Sequence, residues 1–425
     1  MNKGLQPIVA FLVLGLGLLA CVIPTIPSLP PPAAPTPSNQ TPTPPFSPGQ
    51  VGTAVAMTLT AAIPSPAAST SATPGIGETG ALLPHSFYYI GIDSAGLTQV
   101  FRKEQDGATQ HQITSEPVNV NDYDVSPTDG SVVYVANNQL LWINADGSNR
   151  RLVVDGGALD PNNPFMNSIG SPVFSPDGQT LAYGYKGLQI YDVASGQSEL
   201  VIENQINDVG GGLFVPQELY APQRYSPDGT KLLINLSYQE GGSSAIYYPA
   251  TKSLVRLEGG EGALICCDNT EWTRDSSTIY AASPTNGMFS SGLWKVDAAT
   301  GQVTTLIPGD AGNGTYNTAA EAYLGPDGQL YFFYGTGSSP DGVVMRSTLQ
   351  LVRSEPDGVA GRTVISAEDF QLLNEALWAP DASFVIVVIA PSPEIYQSGQ
   401  AEIVYIDGRP NVPLNVSAQQ MRWGP

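Results

Sequence analysis

The side chains able to do chemistry fall at regular distances behind a recurring turn. Counting one and three residues back from the aromatic or apolar residue before each turn gives Asp122 and Asp124, Ser171, Arg224, Asn269 and Glu271, Glu321, Glu375, and Gln420 and Arg422. If the turns are arranged about an axis, these groups meet at it. Carboxylates so gathered suit a divalent cation or a cationic group, while Arg224 and Arg422 either balance the charge or bind a carboxylate themselves. A solvated lining fixed by hydrogen bonds between neighbours fits the same pattern. Other chemistry has fewer means. His85 and His111 are the only two histidines, too few for a multi-histidine metal site. No Gly-x-Ser-x-Gly elbow supplies a hydrolase nucleophile. Carboxylates alone can serve a glycosidase, but no spacing here pairs two of them. A carbohydrate-active enzyme, lyase or glycosidase, with a carboxylate cluster at the channel mouth is therefore the alternative to a binding protein. The adjacent Cys266 and Cys267 make either a vicinal disulfide or two buried thiols, and neither arrangement implies a metal.

The elements that must position these groups are repeats. The turn reads Val125-Ser126-Pro127-Thr128-Asp129-Gly130, then Phe174-Ser175-Pro176-Asp177-Gly178, then Tyr225-Ser226-Pro227-Asp228-Gly229. Weaker copies are Trp272-Thr273-Arg274-Asp275-Ser276, Leu324-Gly325-Pro326-Asp327-Gly328, Trp378-Ala379-Pro380-Asp381-Ala382 and Trp423-Gly424-Pro425. Their period is about 50 residues, the length of a propeller blade. Proline presets φ for the second turn position, aspartate bonds back to the backbone and glycine takes the positive φ, so each turn joins two antiparallel strands. An apolar strand follows, then an alternating one such as Leu188-Gln189-Ile190-Tyr191-Asp192-Val193, then a second turn and a fourth strand.

The ends of the array complement each other. Residues 87–113 supply three strands without a first, and 419–425 supply a first strand with nothing after it. Joined, they predict an all-β, seven-bladed β-propeller of four-stranded antiparallel blades over 81–425, with both termini sharing one blade and no open edge. An open stack and a six-bladed ring are the competing arrangements. Four antiparallel strands per blade put turns one-to-two and three-to-four on one face. The other face takes the long connections 156–170, 203–219, 237–243, 283–291, 308–318, 335–347 and 390–400. These carry Phe165, Phe214, Tyr238, Phe289, Tyr316 and Tyr396, rings that either meet a sugar or peptide or pack their own loops.

The first 80 residues belong to a different regime. Lys3 and an apolar run from Ile8 to Ala20 form an export signal, too short to span a bilayer, and Leu18-Leu19-Ala20-Cys21 resembles the bacterial lipobox. That resemblance implies cleavage after residue 20 and acylation of Cys21, which ties the protein to the lipid bilayer; an uncleaved anchor is the other reading. Residues 21–80 then form a disordered spacer rich in Pro, Thr and Ser. Lys3 and Glu78 are the only charges in the first 80 residues, so the net charge of −21 lies in the folded part. A surface so acidic excludes nucleic acid as a partner.

The Ser-Pro-Asp-Gly turns, the aromatic residue before them and later turns such as Asp297-Ala298-Ala299-Thr300-Gly301-Gln302 resemble the TolB-type, WD-repeat-like β-propeller repeats of envelope proteins. The resemblance covers about 87–425 and implies a fold and a habit of binding, not a reaction. The expectation is an exported, membrane-anchored monomer that recognises an envelope protein, peptide or glycan through its long-loop face, with no cofactor beyond a divalent cation.

Overall fold

The computed structural model describes residues 81–239, 241–259, 269–284, 291–338 and 346–425. Cys21, the pair Cys266 and Cys267, and Phe289 lie outside the described residues. The described part is all-β, and its one helical element is the 3-10 turn Pro164–Met166.

Six of the seven predicted turns close hairpins, and at the seventh Gly424 N–H donates to Ser86 O (2.8 Å). In the best copy, Ser175 N–H donates to Thr180 O (2.9 Å) and Gly178 N–H to Ser175 O (2.8 Å). The Ser175 hydroxyl and Gln179 N–H both donate to Asp177 Oδ1, at 2.6 and 3.0 Å. Hydrogen bonds to the charged form hold the Asp177 carboxyl below its usual range, Ser175 foremost. The weak copy at Thr273 is built identically: the threonine hydroxyl donates to Asp275 Oδ1 (2.6 Å), and Ser276 takes a φ of +60° where glycine stands elsewhere. Ala382 does the same at +60°. Proline and glycine are thus dispensable at Arg274, Ser276 and Ala382, and Gly325 and Ala379 close their turns without a hydroxyl, while the aspartate recurs in every hairpin copy.

The hairpins assemble into antiparallel sheets in chain order. Three sheets have four strands, such as Val120–Val125, Val132–Ala136, Gln139–Ile143 and Arg151–Asp155. Successive residues of these strands face different neighbours. Val132, Tyr134 and Ala136 pack with Tyr88, Ile90 and Val100 of the sheet behind, whereas Val133 and Val135 pack with Phe174, Leu181 and Tyr183 of the sheet ahead. Burial on both faces explains why these strands read as unbroken apolar runs. The first strands also touch one another in chain order, from Val120–Val125 to Gly170–Phe174, Phe214–Tyr225, Thr270–Trp272, Thr315–Leu324, Leu373–Trp378 and Val412–Trp423, and the last touches the first. This is a β-propeller.

Three sheets depart from four strands: one has seven, joining the two ends of the described chain, and two have five. Segments 203–219 and 308–318, read as loops, are hairpins: Gln205–Asp208 pairs with an inner strand of 12 residues, Phe214–Tyr225, and Asp310–Gly312 pairs with one of 10, Thr315–Leu324. Segment 237–243 likewise continues the ladder, pairing Ser237 with Gly242 and Tyr238 with Gly241. Polar and glycine-rich sequence suggested loops, but exposed backbone groups satisfy each other in a ladder without needing an apolar side chain.

Closure uses one strand twice. Val412–Trp423 pairs with Gly399–Tyr405 through its first part and with Phe87–Ile92 through its last, setting Phe87 opposite Trp423 and Ile90 opposite Gln419. The outer strand expected to end near Val416 and the inner strand expected from 419 are thus continuous. Trp423 packs beside Phe87 and Phe384, both at 6.4 Å between ring centroids, and its indole N–H donates to Trp378 O (2.8 Å). Replacing it removes both the packing and the bond. Trp423→Ala is expected to cost about 3 kcal/mol of unfolding free energy, read as a lower urea midpoint at unchanged slope.

Candidate functional site

The inner strands need a kink to turn along the axis, and the kink decides where the predicted axial residues go. Ser171, Glu321 and Gln420, each three back from its aromatic or apolar marker, have φ of +53°, +54° and +53°. A register shift accompanies each, as a β-bulge requires. A non-glycine residue in this conformation is uncommon, and its N–H is turned out of the ladder. The preceding inner strand receives that N–H. Asp122 Oδ2 accepts from Ser171 (2.8 Å), Asn269 Oδ1 from Glu321 (3.0 Å) and Glu375 Oε2 from Gln420 (2.6 Å). Glu375 Oε1 also accepts from Met421 N–H (2.5 Å). The bulge carbonyls are met from the following strand: Trp378 Nε1–H donates to Glu321 O (2.8 Å) and the Tyr123 hydroxyl to Gln420 O (2.6 Å).

One layer along, Asp124 Oδ2 accepts Phe174 N–H (2.7 Å), while its Oδ1 lies 3.8 Å from Arg422 Nε. Burial pushes the Asp124 carboxyl up from its usual range, and Arg422 opposes that shift. Arg224 is ion-paired with Glu271. Asp124, Arg224, Asn269, Glu271, Glu321, Glu375 and Arg422 line one cavity of about 770 Å³; Asp122 does not. The carboxylates are thus divided among separate partners. Among the described residues no three carboxylate, thiol or imidazole groups converge as a metal centre does.

The predicted aromatic residues are less of a set than expected. Phe165 belongs to the 3-10 turn, Phe214, Tyr238 and Tyr316 belong to strands, and all four are half-buried. Tyr396 alone is on a loop and exposed, with the Arg346 guanidinium 4.3 Å over its ring. The 156–170 connection is clasped to the long hairpin: Asn163 Oδ1 accepts Phe214 N–H and Asn163 Nδ2 donates to Gly212 O, both at 3.3 Å.

Two buried carboxylates had no signal in the repeats. Glu218, on the strand overhang, is gripped by both Arg256 terminal nitrogens, Nη2 at 2.8 Å from Oε2, and accepts the Tyr220 hydroxyl. Glu116 has the same partners in kind: Arg150 Nε at 2.6 Å and Nη2 at 3.0 Å, and the Tyr134 hydroxyl at 2.7 Å. The arginine holds each carboxyl below the usual range. A Glu with its Arg 34 or 38 residues on, and a Tyr at no fixed offset, leaves no periodic mark.

Two predictions follow from these bonds. Glu375→Ala strands the Gln420 and Met421 N–H groups and is expected to cost about 2–3 kcal/mol in urea unfolding, whereas Glu375→Gln, which keeps one acceptor, costs less. For Glu218 the folded pKa is depressed, so its stabilisation is complete above the unfolded value of about 4.3 and disappears as pH falls through the folded value. Glu218→Gln is expected to lose about 1–2 kcal/mol at pH 7, because Arg256 is half exposed. The gap from the parent protein should close below pH 4 in unfolding measured across pH.

No protein-family model matches the chain, and no curated protein matches it. Solved structures do. TolB from Acinetobacter baumannii aligns at 17% identity over 77% of this chain and 79% of its own, with a TM-score of 0.39. Kuenenia stuttgartiensis hydrazine synthase aligns at 13% identity over 67% and 76%, TM-score 0.42. Porphyromonas gingivalis dipeptidyl peptidase 4 aligns at 12% identity over 75% and 48%, TM-score 0.44. At these values the likeness assigns no function to the chain.

Proposed function

We propose that this chain is an exported lipoprotein, held to a membrane through acylated Cys21 and the 22–80 spacer, whose residues 81–425 form a seven-bladed propeller with a blade shared by both termini. It binds a protein, peptide or glycan partner on the face where the inner strands overrun their blades. One observation carries the reading. Phe214–Tyr225 runs 12 residues and Thr315–Leu324 runs 10, against five in Gly170–Phe174, and both excesses lie at the start of the strand. The pairings of Leu219 with Ser237 and of Thr315 with Ser338 put them on the side of the two-to-three connections. A pinned overhang presents side chains on a rigid frame, which lowers the ordering cost of binding. Glu218, Arg256 and Asn163 supply such pins. The seven-blade count is supported by the cyclic order of inner-strand contacts and by the pairing of Val412–Trp423 with Phe87–Ile92.

The test is a thermal-shift screen of the full chain against oligosaccharides, peptides and divalent ions. A ligand at about 100 times its dissociation constant adds roughly 2.7 kcal/mol. The expected result is a shift that Phe214→Ala or Tyr316→Ala diminishes and Glu271→Gln leaves alone. A shift abolished only by Glu271→Gln or Glu321→Gln would instead favour a carbohydrate-active site in the cavity. Cys21→Ser is expected to move the protein from the membrane to the soluble fraction.

A further inference from the structure

We propose that the cavity end beneath the first hairpin turns is a carboxylate-binding site, with Arg274 as its receiving group and Arg422 and Arg224 as its flanks. This goes beyond the binding face proposed above, because it lies at the opposite mouth of the axis.

The argument starts from a residue the fold does not ask for. Arg274 stands at the turn position held by Pro127, Pro176, Pro227, Pro326 and Pro380 in the other copies. Its own turn forms from Thr273, Asp275 and Ser277: the Thr273 hydroxyl and Ser277 N–H donate to Asp275 Oδ1 at 2.6 and 3.1 Å. Arg274 adds nothing to that closure and gives up the preset φ that proline supplies.

Its side chain is exposed and lines the cavity together with Pro176 and Pro380, which belong to turns two places away on either side. Burial pushes the Tyr323 hydroxyl up from its usual range and nearby Arg274 opposes that shift; the hydroxyl itself donates to Pro380 O (2.9 Å). Among the described residues no carboxylate comes within 4 Å of it, whereas Arg224 has Glu271 and Arg422 has Asp124. Asp381, beyond that distance, is the nearby carboxylate that feels its charge, so this end holds two matched pairs and one guanidinium without a close partner, in a chain of net charge −21.

The rest of the cavity defines the anion. The Tyr323 ring is stacked on Trp378, 5.7 Å apart at 11°, and both line the wall beside Arg274. This is a flat apolar surface next to a planar fork of donors, which matches a carboxylate on a flat or apolar body. Toward the other end the lining carries Glu321 and Glu375 and no basic group one layer deeper, so the anionic end of a ligand faces the turns.

The carboxylate can come from a free small molecule or from a peptide C-terminus, and calorimetric titration of the full chain separates them. Four probes are used: N-acetylphenylalanine, its amide, a tetrapeptide ending in phenylalanine, and that peptide's amide. Each acid is expected to bind saturably and each amide about tenfold or more weaker, a difference of about 1.4 kcal/mol. Tighter binding of the peptide acid identifies a C-terminus, and equal binding identifies a small carboxylate. Arg274→Pro restores the turn residue of the other copies; it is expected to lose the acid-over-amide preference with an unchanged or higher melting temperature. Phe214→Ala is expected to leave the preference intact, which keeps this site distinct from the overhang face. Equal affinity for acid and amide, an undiminished preference in Arg274→Pro, or no saturable binding by any probe would overturn the proposal.

Discussion

Everything near the axis depends on one backbone requirement: an amide turned out of the ladder at a bulge must still find an acceptor. An unpaired buried N–H costs about 1–3 kcal/mol, so a bulged inner strand needs help from outside its own sheet. Ser171, Glu321 and Gln420 receive it from Asp122, Asn269 and Glu375 on the preceding strand. Glu321 and Gln420 also have their carbonyls taken from the following strand, by Trp378 and Tyr123. Each of those two residues is therefore held from both sides, and its unusual φ is stable only inside the assembled ring. The side chains that look most like a ligand site are largely occupied in making the ring possible.

The same logic separates structural polarity from spare polarity. Asp177, Asp228 and Asp275 serve their own turns. Glu116 and Glu218 serve as anchors for arginines and tyrosines. What remains after these assignments is small and local, and most of the acidic excess sits on exposed turns where water screens it.

Legibility in the sequence followed the range of the interaction. The hairpin turns, whose bonds span two to five residues, could be read directly, including the irregular copies at Thr273 and Ala379. The buried strands were also plain, since burial on both faces leaves continuous runs such as Val132–Ala136. The bulges were not, because Ser171, Glu321 and Gln420 share no side-chain chemistry; the trace they leave is a short acceptor about 45–52 residues earlier. The strand overhangs were mistaken for loops, since a ladder of backbone bonds makes no demand on composition at Gly241 or Gly242. All the axial carboxylates but Asp122 line the cavity, and sequence does not choose between a lining fixed by neighbours and a ligand site, because an acceptor bonded to a neighbour's amide has the same sequence as one awaiting a ligand.

The shared strand Val412–Trp423 also fixes an order of events in synthesis. Phe87–Ile92 is made well before its inner partner Gln419–Trp423, which emerges only after all the intervening strands. Until then Tyr88 and Phe87 have no strand on that side, and the sheet they begin presents an unpaired edge to the surroundings. Contacts of such long sequence separation form slowly. The nascent chain therefore passes through a long interval as an open arc, with an edge that only Gln419–Trp423 can cover, and a binder of unpaired strands would have its opportunity during that interval.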